Sequence, residues 1–529
     1  MRNSLDSTGQ MQYCYVDEHG DRSPTLRVRP GDLLLLKLKN ELPLPSIAHH
    51  PLEVSRSDCA SSMMSRNATN LHFHGLSIPP SCHADDSLRT SITPSSKGFL
   101  YRFHIPRNQP SGLYWYHPHP HGHSEEQVLG GASGALIVEG IAQANPLVAR
   151  LPERVIVIRD RNLEGAAAAA SNLNPSNLNP AHTDPSLPAK DLSINFVQVP
   201  YPKYPVGTIR AAPLQRELWR VLNASADTYV DMAVLFNGEW QGSGIVAVHG
   251  KWQSLGLVAV DGVPIDAADS ATGKVLWKAD IPIPPGGRAE FIFQTPPEGI
   301  KAELFTAGAE TTPSQDDDSS GPAPTGMGSS VLDNDEFTPP RPLARIVSSS
   351  LAIEPRSLNE AEPPASLRAI PTLASVSPVR QRKLYFSEKV VDPKNAQTST
   401  VFYLTEEGHI PKAFDPSILL PDIVVQQGDV EDWTIENRSP ESHAFHIHQS
   451  HFLLMERNNA PVDHRYLADT VDVPYWDGSS AAFPSVKLRM DFRDPDIVGT
   501  FPYHCHILQH VDGGMMGLIQ VRPRPPAEK

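Results

Sequence analysis

The chain has 529 residues, 40% of them hydrophobic and 20% charged, with a formal net charge of −15 at pH 7. At roughly 100–200 residues per domain this length predicts about three globular domains, and the acidic balance argues against nucleic acid or an anionic membrane surface as the main partner. Four cysteines (Cys14, Cys59, Cys82 and Cys505) are too few for a disulfide scaffold, and no apolar run is long enough to span a bilayer.

Taken in chain order, most of the sequence reads as short strands between turns. Alternating or short continuous apolar runs fall at 33–38, 100–105, 134–138, 154–158, 217–222, 256–260, 289–293 and 517–521. No sustained 3.6-residue pattern competes with them. The 52 prolines, about twice the ordinary ~5%, also favour turns and edge strands over long helices. This is the profile of an all-β protein of Greek-key sandwiches or barrels.

Three stretches interrupt the strands. An alanine run and a doubled SNLNP unit at 165–185 read as a surface insertion. Residues 311–342, rich in Asp, Ser, Gly and Pro, cannot fill a core and read as a loop. A proline-spaced linker at 344–382 leads to a new strand at 383–387. The expected domains are therefore 1–145, 146–343 and 383–529. One disulfide among Cys14, Cys59 and Cys82 is possible, but sequence alone does not pair them. The sequons at Asn67, Asn223 and Asn437 would permit glycosylation.

Histidines cluster in the first and third expected domains only. The four clusters are NLHFHG with His72 and His74, WYHPHPHGH with His117, His119, His121 and His123, SHAFHIHQSH with His443, His446, His448 and His451, and YHCHILQHVDGGMM with His504, Cys505, His506, His510 and Met515. A single His-x-His pair is usually a surface or hydrogen-bonded histidine. Four such pairs, one of them bracketing a cysteine, point to metal.

On a strand, successive side chains point to opposite faces. His504 and His506 would face one way and Cys505 the other, so one short peptide could touch two metal centres. A thiolate, two histidines and a long axial methionine make a blue-copper site; Cys505, His510 and Met515 supply three of these groups and His443 fits as the fourth. The remaining pairs offer eight imidazoles, too many for one ion and a match for three coppers. Zinc is the rival ion, but its structural sites are closed and four-coordinate.

HFHG, WYHPH, HAFHIH and HCHILQHVDGGMM resemble the four copper-binding motifs of the multicopper oxidases, in the family's order. The resemblance implies three cupredoxin-like domains and four copper ions. It assigns His443, Cys505 and His510 to a type 1 copper with Met515 axial, and His72 and His446 to a type 2 copper. His74, His117, His119, His448, His504 and His506 would hold a type 3 pair. His121, His123 and His451 would lie outside the ligand set. Substrate electrons would be taken one at a time at the type 1 site and passed to dioxygen, which leaves as two waters.

That reduction consumes protons, so an acid is expected near the cluster. Asp85 and Asp86 are the candidates after the first motif, although either could simply cap a turn. Some relatives carry a glutamate directly after the histidine matching His510; here that position is Val511, and Asp512 is the substitute candidate. An axial methionine predicts a low-to-middle type 1 potential.

The expected reductants are phenols and aromatic amines, with ferrous, manganous or cuprous ion as the alternative. The absence of a methionine-rich segment among only 10 Met weakens the cuprous reading. A copper-free structural protein of the same fold is disfavoured because every ligand is present. A monomer is expected, periplasmic or secreted, with its export signal outside this sequence.

Overall fold

The computed structural model describes residues 1–6, 9–43, 59–60, 64–94, 96–163, 188–240, 245–246, 250–265, 275–313, 338–351, 355–358, 373–391 and 400–524. The insertions expected at 165–185 and within 311–342 lie largely outside the described residues, as does the middle of the expected linker. Among the described residues strands dominate, and the α-helices are short: Ser124–Leu129, Ile141–Ala144 and Leu508–Asp512. No helix among them is long and apolar enough to cross a membrane. The chain divides into two compact units, Met1–Glu139 with Pro364–Lys529, and Gly140–Pro363.

The central unit is built from two sheets. An eight-stranded sheet centres on Glu153–Asn162, Arg216–Asn223 and Arg288–Gln294, and a six-stranded one on Val230–Phe236, Ala302–Thr306 and Arg341–Ser348. Alternation decides what lies between them. Trp219, Phe291 and Phe293 from the first sheet meet Met232, Val234, Leu304 and Ile346 from the second in one core. The strand Arg341–Ser348 runs past residue 343, where the second domain was expected to end.

On that unit the Asp231 carboxyl lies beside Asp280 of the paired strand. Burial, then the neighbouring carboxylate, pushes Asp231 up to about 7. An acid raised above its unfolded value binds its proton more tightly when folded, so this site stabilises most at low pH. We expect thermal stability to fall as pH rises from about 4 to about 7, and Asp231→Asn to flatten that slope; parallel slopes for the two proteins would refute it.

The other unit joins the two ends of the chain. In its first segment, a four-stranded sheet runs in the order 26–28, 134–138, 112–117, 72–74, beside the pair Leu33–Leu38 and Phe99–His104. Phe99–His104 alternates strictly between buried and exposed, as a half-buried strand must. A Cys59–Cys82 disulfide closes the stretch after this region's first strands and leaves Cys14 free and buried. The last segment has a seven-stranded sheet that includes Arg380–Val390, Val430–Asn437 and Ser485–Asp491, and a five-stranded sheet that includes His443–Ile447, Gly499–Cys505 and Met516–Arg522. Trp433 of one meets Tyr503 of the other, with ring centroids 5.7 Å apart.

The two units share a local device. The run Glu217-x-Trp219-x-Val221-x-Asn223-x-Ser225 repeats as Glu431-x-Trp433-x-Ile435-x-Asn437-x-Ser439. In both, the tryptophan N–H donates to the glutamate two residues earlier, at 2.8 and 2.9 Å. In both, an arginine paired with the tryptophan on a parallel strand binds the same carboxylate: Arg154 and Arg382. The asparagine then closes a turn. Asn223 donates to the carbonyls of Thr228 and Ile283, and Asn437 to those of Glu441 and Val473. Asn40 does the same in the first segment, on the carbonyls of Asn67 and Ile92. Asn223 and Asn437 are wholly buried, so in the folded chain these two sequons serve as turn anchors and not as glycan acceptors.

Candidate metal centre

The first histidine pair is aimed by its own middle residue. In the strand His72–His74, Phe73 points into the core against Phe103 and Tyr101, at centroid distances of 4.8 and 5.4 Å. Burying it is worth about 1.5–3 kcal/mol, which fixes both imidazoles on the opposite face. That strand pairs antiparallel with Gly112–His117, setting His72 opposite His117. In the last segment His443–Ile447 pairs with Gly499–Cys505, which sets His446 opposite His504 and Phe445 opposite Cys505. All these histidines and Cys505 are buried.

The alternation expected at 504–506 holds. Cys505 Sγ lies 3.7 Å from both His443 Nδ1 and His510 Nδ1, and those two nitrogens are 3.1 Å apart. Met515 is fully buried, and the backbone holds it here: its carbonyl accepts from Cys505 N and its own N–H donates to the His510 carbonyl. On the other face, His504 joins His119 and His448, while His506 joins His74 and His117. A third group is His72, His74 and His446. Within each group the donor atoms lie within 4.8 Å of one another.

Acceptor-only partners fix the tautomers. His72 Nδ1 donates to Asp85 (2.9 Å), His117 Nδ1 to the Pro118 carbonyl (3.0 Å), His446 Nδ1 to the Asp469 carbonyl (2.8 Å) and His504 Nδ1 to the Cys505 carbonyl (2.7 Å). Each ring therefore turns its Nε2 inward. Of these, the Nε2 atoms of His72, His117 and His446 are buried with no hydrogen-bond partner among the described residues. His74 is the exception: its Nε2 donates to Asp469 Oδ1 at 3.0 Å, so its Nδ1 is the unprotonated nitrogen. The Nε2 atoms of His119 and His448 converge on that of His504 at 3.3 and 3.1 Å.

Burial pushes His117, His119, His443, His446 and His448 well below the ordinary imidazole range, and neighbouring imidazoles reinforce it. Burial likewise pushes His504 down to about 3. Neutral, converging imidazoles are metal donors in waiting. A thiol with two imidazoles beside an eight-histidine group suits copper, and the donor set fits that ion better than a closed zinc site.

The carboxylates sort differently from expectation. Asp85 sits at the cluster: it binds His72, accepts from Phe73 N–H at 3.1 Å, and receives the Gln449 side chain from the last segment. Asp86 does not reach it. Its carboxylate caps a turn by accepting from Arg89 N–H, because adjacent residues in that turn point apart. Asp512 accepts from Gly122 and Glu125 N–H, at 2.9 and 3.0 Å, and so clamps the helix Ser124–Leu129 onto the last segment.

Three further histidines stay outside the donor groups. His121 rests edge-on against Phe414, His123 precedes the helix, and His451 lies 3.5 Å from Asp469. The sequence reading missed Asp469, Gln449 and Thr470, and also Ser439 and Glu441, which flank the type 1 candidates. Gln449, inside the third histidine cluster, and Ser439 and Glu441, just ahead of His443, had a signal in their position.

Two stretches of the chain match the multicopper oxidase family, residues 61–143 and residues 391–525. Among curated proteins, the chain is 34% identical to a multicopper oxidase of Staphylococcus haemolyticus over 114 residues, 20% of this chain and 23% of that one. It is 26% identical to copper resistance protein A of Pseudomonas syringae pv. tomato over 135 residues, 26% of this chain and 17% of that one. These alignments thus span less than a quarter of each relative's length.

The fold match is wider. The structure of a multicopper oxidase from Campylobacter jejuni, a metallo-oxidase, aligns with a TM-score of 0.60 and 22% identity, covering 98% of this chain and 90% of that one. McoA multicopper oxidase from Aquifex aeolicus aligns with a TM-score of 0.60 and 18% identity, covering 99% and 96%. The all-β, cupredoxin-like fold is thereby shared. Both histidine-bearing ends of the chain thus carry multicopper oxidase domains, and the fold of the multicopper oxidases is shared along its length.

Proposed function

We propose that this chain is a laccase-like oxidase that takes electrons singly from phenols or aromatic amines and reduces dioxygen to water. The observation that carries the reading is the partition of the buried donors. A group of one cysteine and two histidines and a group of eight histidines are joined through the consecutive residues 504–506. His443, Cys505 and His510, with Met515 beside them, would hold the type 1 copper. His72 and His446 would hold type 2; His74, His117 and His506, with His119, His448 and His504, would hold the type 3 pair. The four ions, when bound, supply the one-electron steps that deliver four electrons to dioxygen.

The chain's own residues do the rest. Asp85 holds His72 in one tautomer and is the carboxylate best placed to feed protons, four of which enter with the four electrons to give two waters. Burial excludes bulk water from the donor groups. The covalent path from Cys505 into His504 and His506 ties the electron-accepting site to the oxygen site.

A metal-ion reductant is the second reading. Its support is the Glu441 carboxylate, 3.6 Å from the outer nitrogen of His510 and partly exposed, a hard oxygen ligand beside the accepting imidazole. Location is proposed as periplasmic or secreted, since the Cys59–Cys82 disulfide suits an oxidising compartment.

Copper-loaded protein should show a blue absorption and consume oxygen with a phenol. Oxygen uptake with ferrous ion and none with the phenol would shift the assignment to the metal-ion reading. A colourless protein without uptake would end both.

A further inference from the structure

The repeated asparagine turn has a different content in its last copy. In the central unit, the turn after Asn223 carries Ser225, whose N–H donates to Asn223 Oδ1 at 3.2 Å. In the last segment the equivalent Ser439 is fully buried and makes the same backbone bond at 2.9 Å, but its hydroxyl also lies 2.6 Å from His443 Nε2. Two residues on, Glu441 lies 3.6 Å from His510 Nε2. One five-residue turn therefore faces the outer nitrogens of both histidines whose Nδ1 atoms meet Cys505. The turn is itself held: Asn437 donates to the Glu441 carbonyl, and Trp476 N–H donates to the Ser439 carbonyl.

The direction of the Ser439 bond follows from counting hydrogens. A serine hydroxyl has one proton. Asn437 Oδ1 takes it at 2.7 Å, and that oxygen is an acceptor because the asparagine amide nitrogen is already donating to two carbonyls. Ser439 Oγ must therefore accept from His443 Nε2–H. That fixes Nδ1 as the unprotonated nitrogen facing the thiol and makes it more basic. Glu441 acts in the same sense on His510 by placing negative charge at its outer edge. Both effects favour the more highly charged, oxidised state of a metal held at Nδ1.

Resting on the copper reading above, we propose that the turn 437–441 tunes the type 1 reduction potential, with Ser439 and Glu441 as positioning residues that lower it below what the copper ligands alone would give. Ser439 acts from inside the core. Glu441, a partly exposed side chain, acts through its buried oxygen at the outer edge of His510.

The test is a spectroelectrochemical titration of the copper-loaded full chain beside Ser439→Ala, Ser439→Thr and Glu441→Gln. Ser439→Ala and Glu441→Gln should each raise the midpoint, with a tenfold change in the redox equilibrium reading as about 59 mV for one electron. Ser439→Ala should also shift the blue band, and Ser439→Thr, which keeps the hydroxyl, should restore both. A blue wild type whose variants fold, stay blue and keep the wild-type midpoint overturns the proposal. If the alanine variant does not fold, Glu441→Gln alone decides, because its partly exposed side chain can change without opening the core. A wild type with no blue band overturns the copper reading itself, and this proposal with it.

Discussion

Replacing Cys505 with serine should abolish the blue absorption and reduce oxygen uptake to background, while the chain stays folded and retains its other coppers. Cys505 is fully buried, and its Sγ is equidistant, at 3.7 Å, from the Nδ1 atoms of His443 and His510. No other described thiol is near: Cys14 lies in the first segment beside Arg22, and Cys59 and Cys82 are bonded to each other. Serine is nearly isosteric and leaves the backbone bond from residue 505 to the Met515 carbonyl in place, so the fold should survive. What it removes is the soft ligand that a blue copper site requires. The histidines on the other face depend on their own strands and on partners such as Asp85, so their metal should remain. On the four-ion reading proposed above, copper analysis should therefore fall from four toward three per chain. A serine variant that stays blue would show that the donor group around Cys505 has been misread.

Much of this was legible in the sequence, for identifiable reasons. Strands announce themselves by alternating burial or by short continuous apolar runs: 33–38 alternates and 134–138 is buried throughout, and both are found at their expected bounds. The strand expected at 100–105 is Phe99–His104, one residue earlier, and Ile105 still sends its N–H to the Asp32 carbonyl in register with the Leu33 and His104 pair. The candidate donors are legible because a strand presents neighbouring imidazoles to one face at spacing i, i+2.

The choice between Asp85 and Asp86 was not legible. Both sit in one turn, and only its three-dimensional course decides which carboxylate meets Phe73 N–H and which caps Arg89 N–H. The repeated asparagine turn was in the letters, but its meaning depends on carbonyls supplied by distant strands. The least legible feature is Asp469, which bonds a histidine 395 positions away.

Asp469 carries the second large prediction. Its Oδ1 accepts from His74 Nε2–H, its carbonyl accepts from His446 Nδ1–H, and Thr470 Oγ1 donates to the same carboxylate at 2.9 Å. A single residue of the last segment thus orients one candidate ligand of the type 3 pair and one of the type 2 site. It also reverses the tautomer of His74 relative to the histidines around it.

Alanine at this position leaves the His446 bond intact, since that uses the backbone, but takes away the carboxylate that accepts from the buried His74 Nε2–H and leaves the longer contact to Thr470 Oγ1, at 3.4 Å. A buried donor without an acceptor costs about 1–3 kcal/mol, and losing such an orienting partner typically weakens metal affinity by about 10–100-fold. Asp469→Ala should therefore lose copper from the histidine cluster and lose oxygen uptake, while the blue absorption at Cys505 persists as an internal check on folding. Asp469→Asn keeps an acceptor oxygen and should recover most of the copper. Metal analysis with electron paramagnetic resonance of the type 2 signal would read both variants. Full copper occupancy in the alanine variant would mean that the strand pairing of His72–His74 with Gly112–His117 already fixes His74, and that the Asp469 bond is a consequence of the site and not one of its supports.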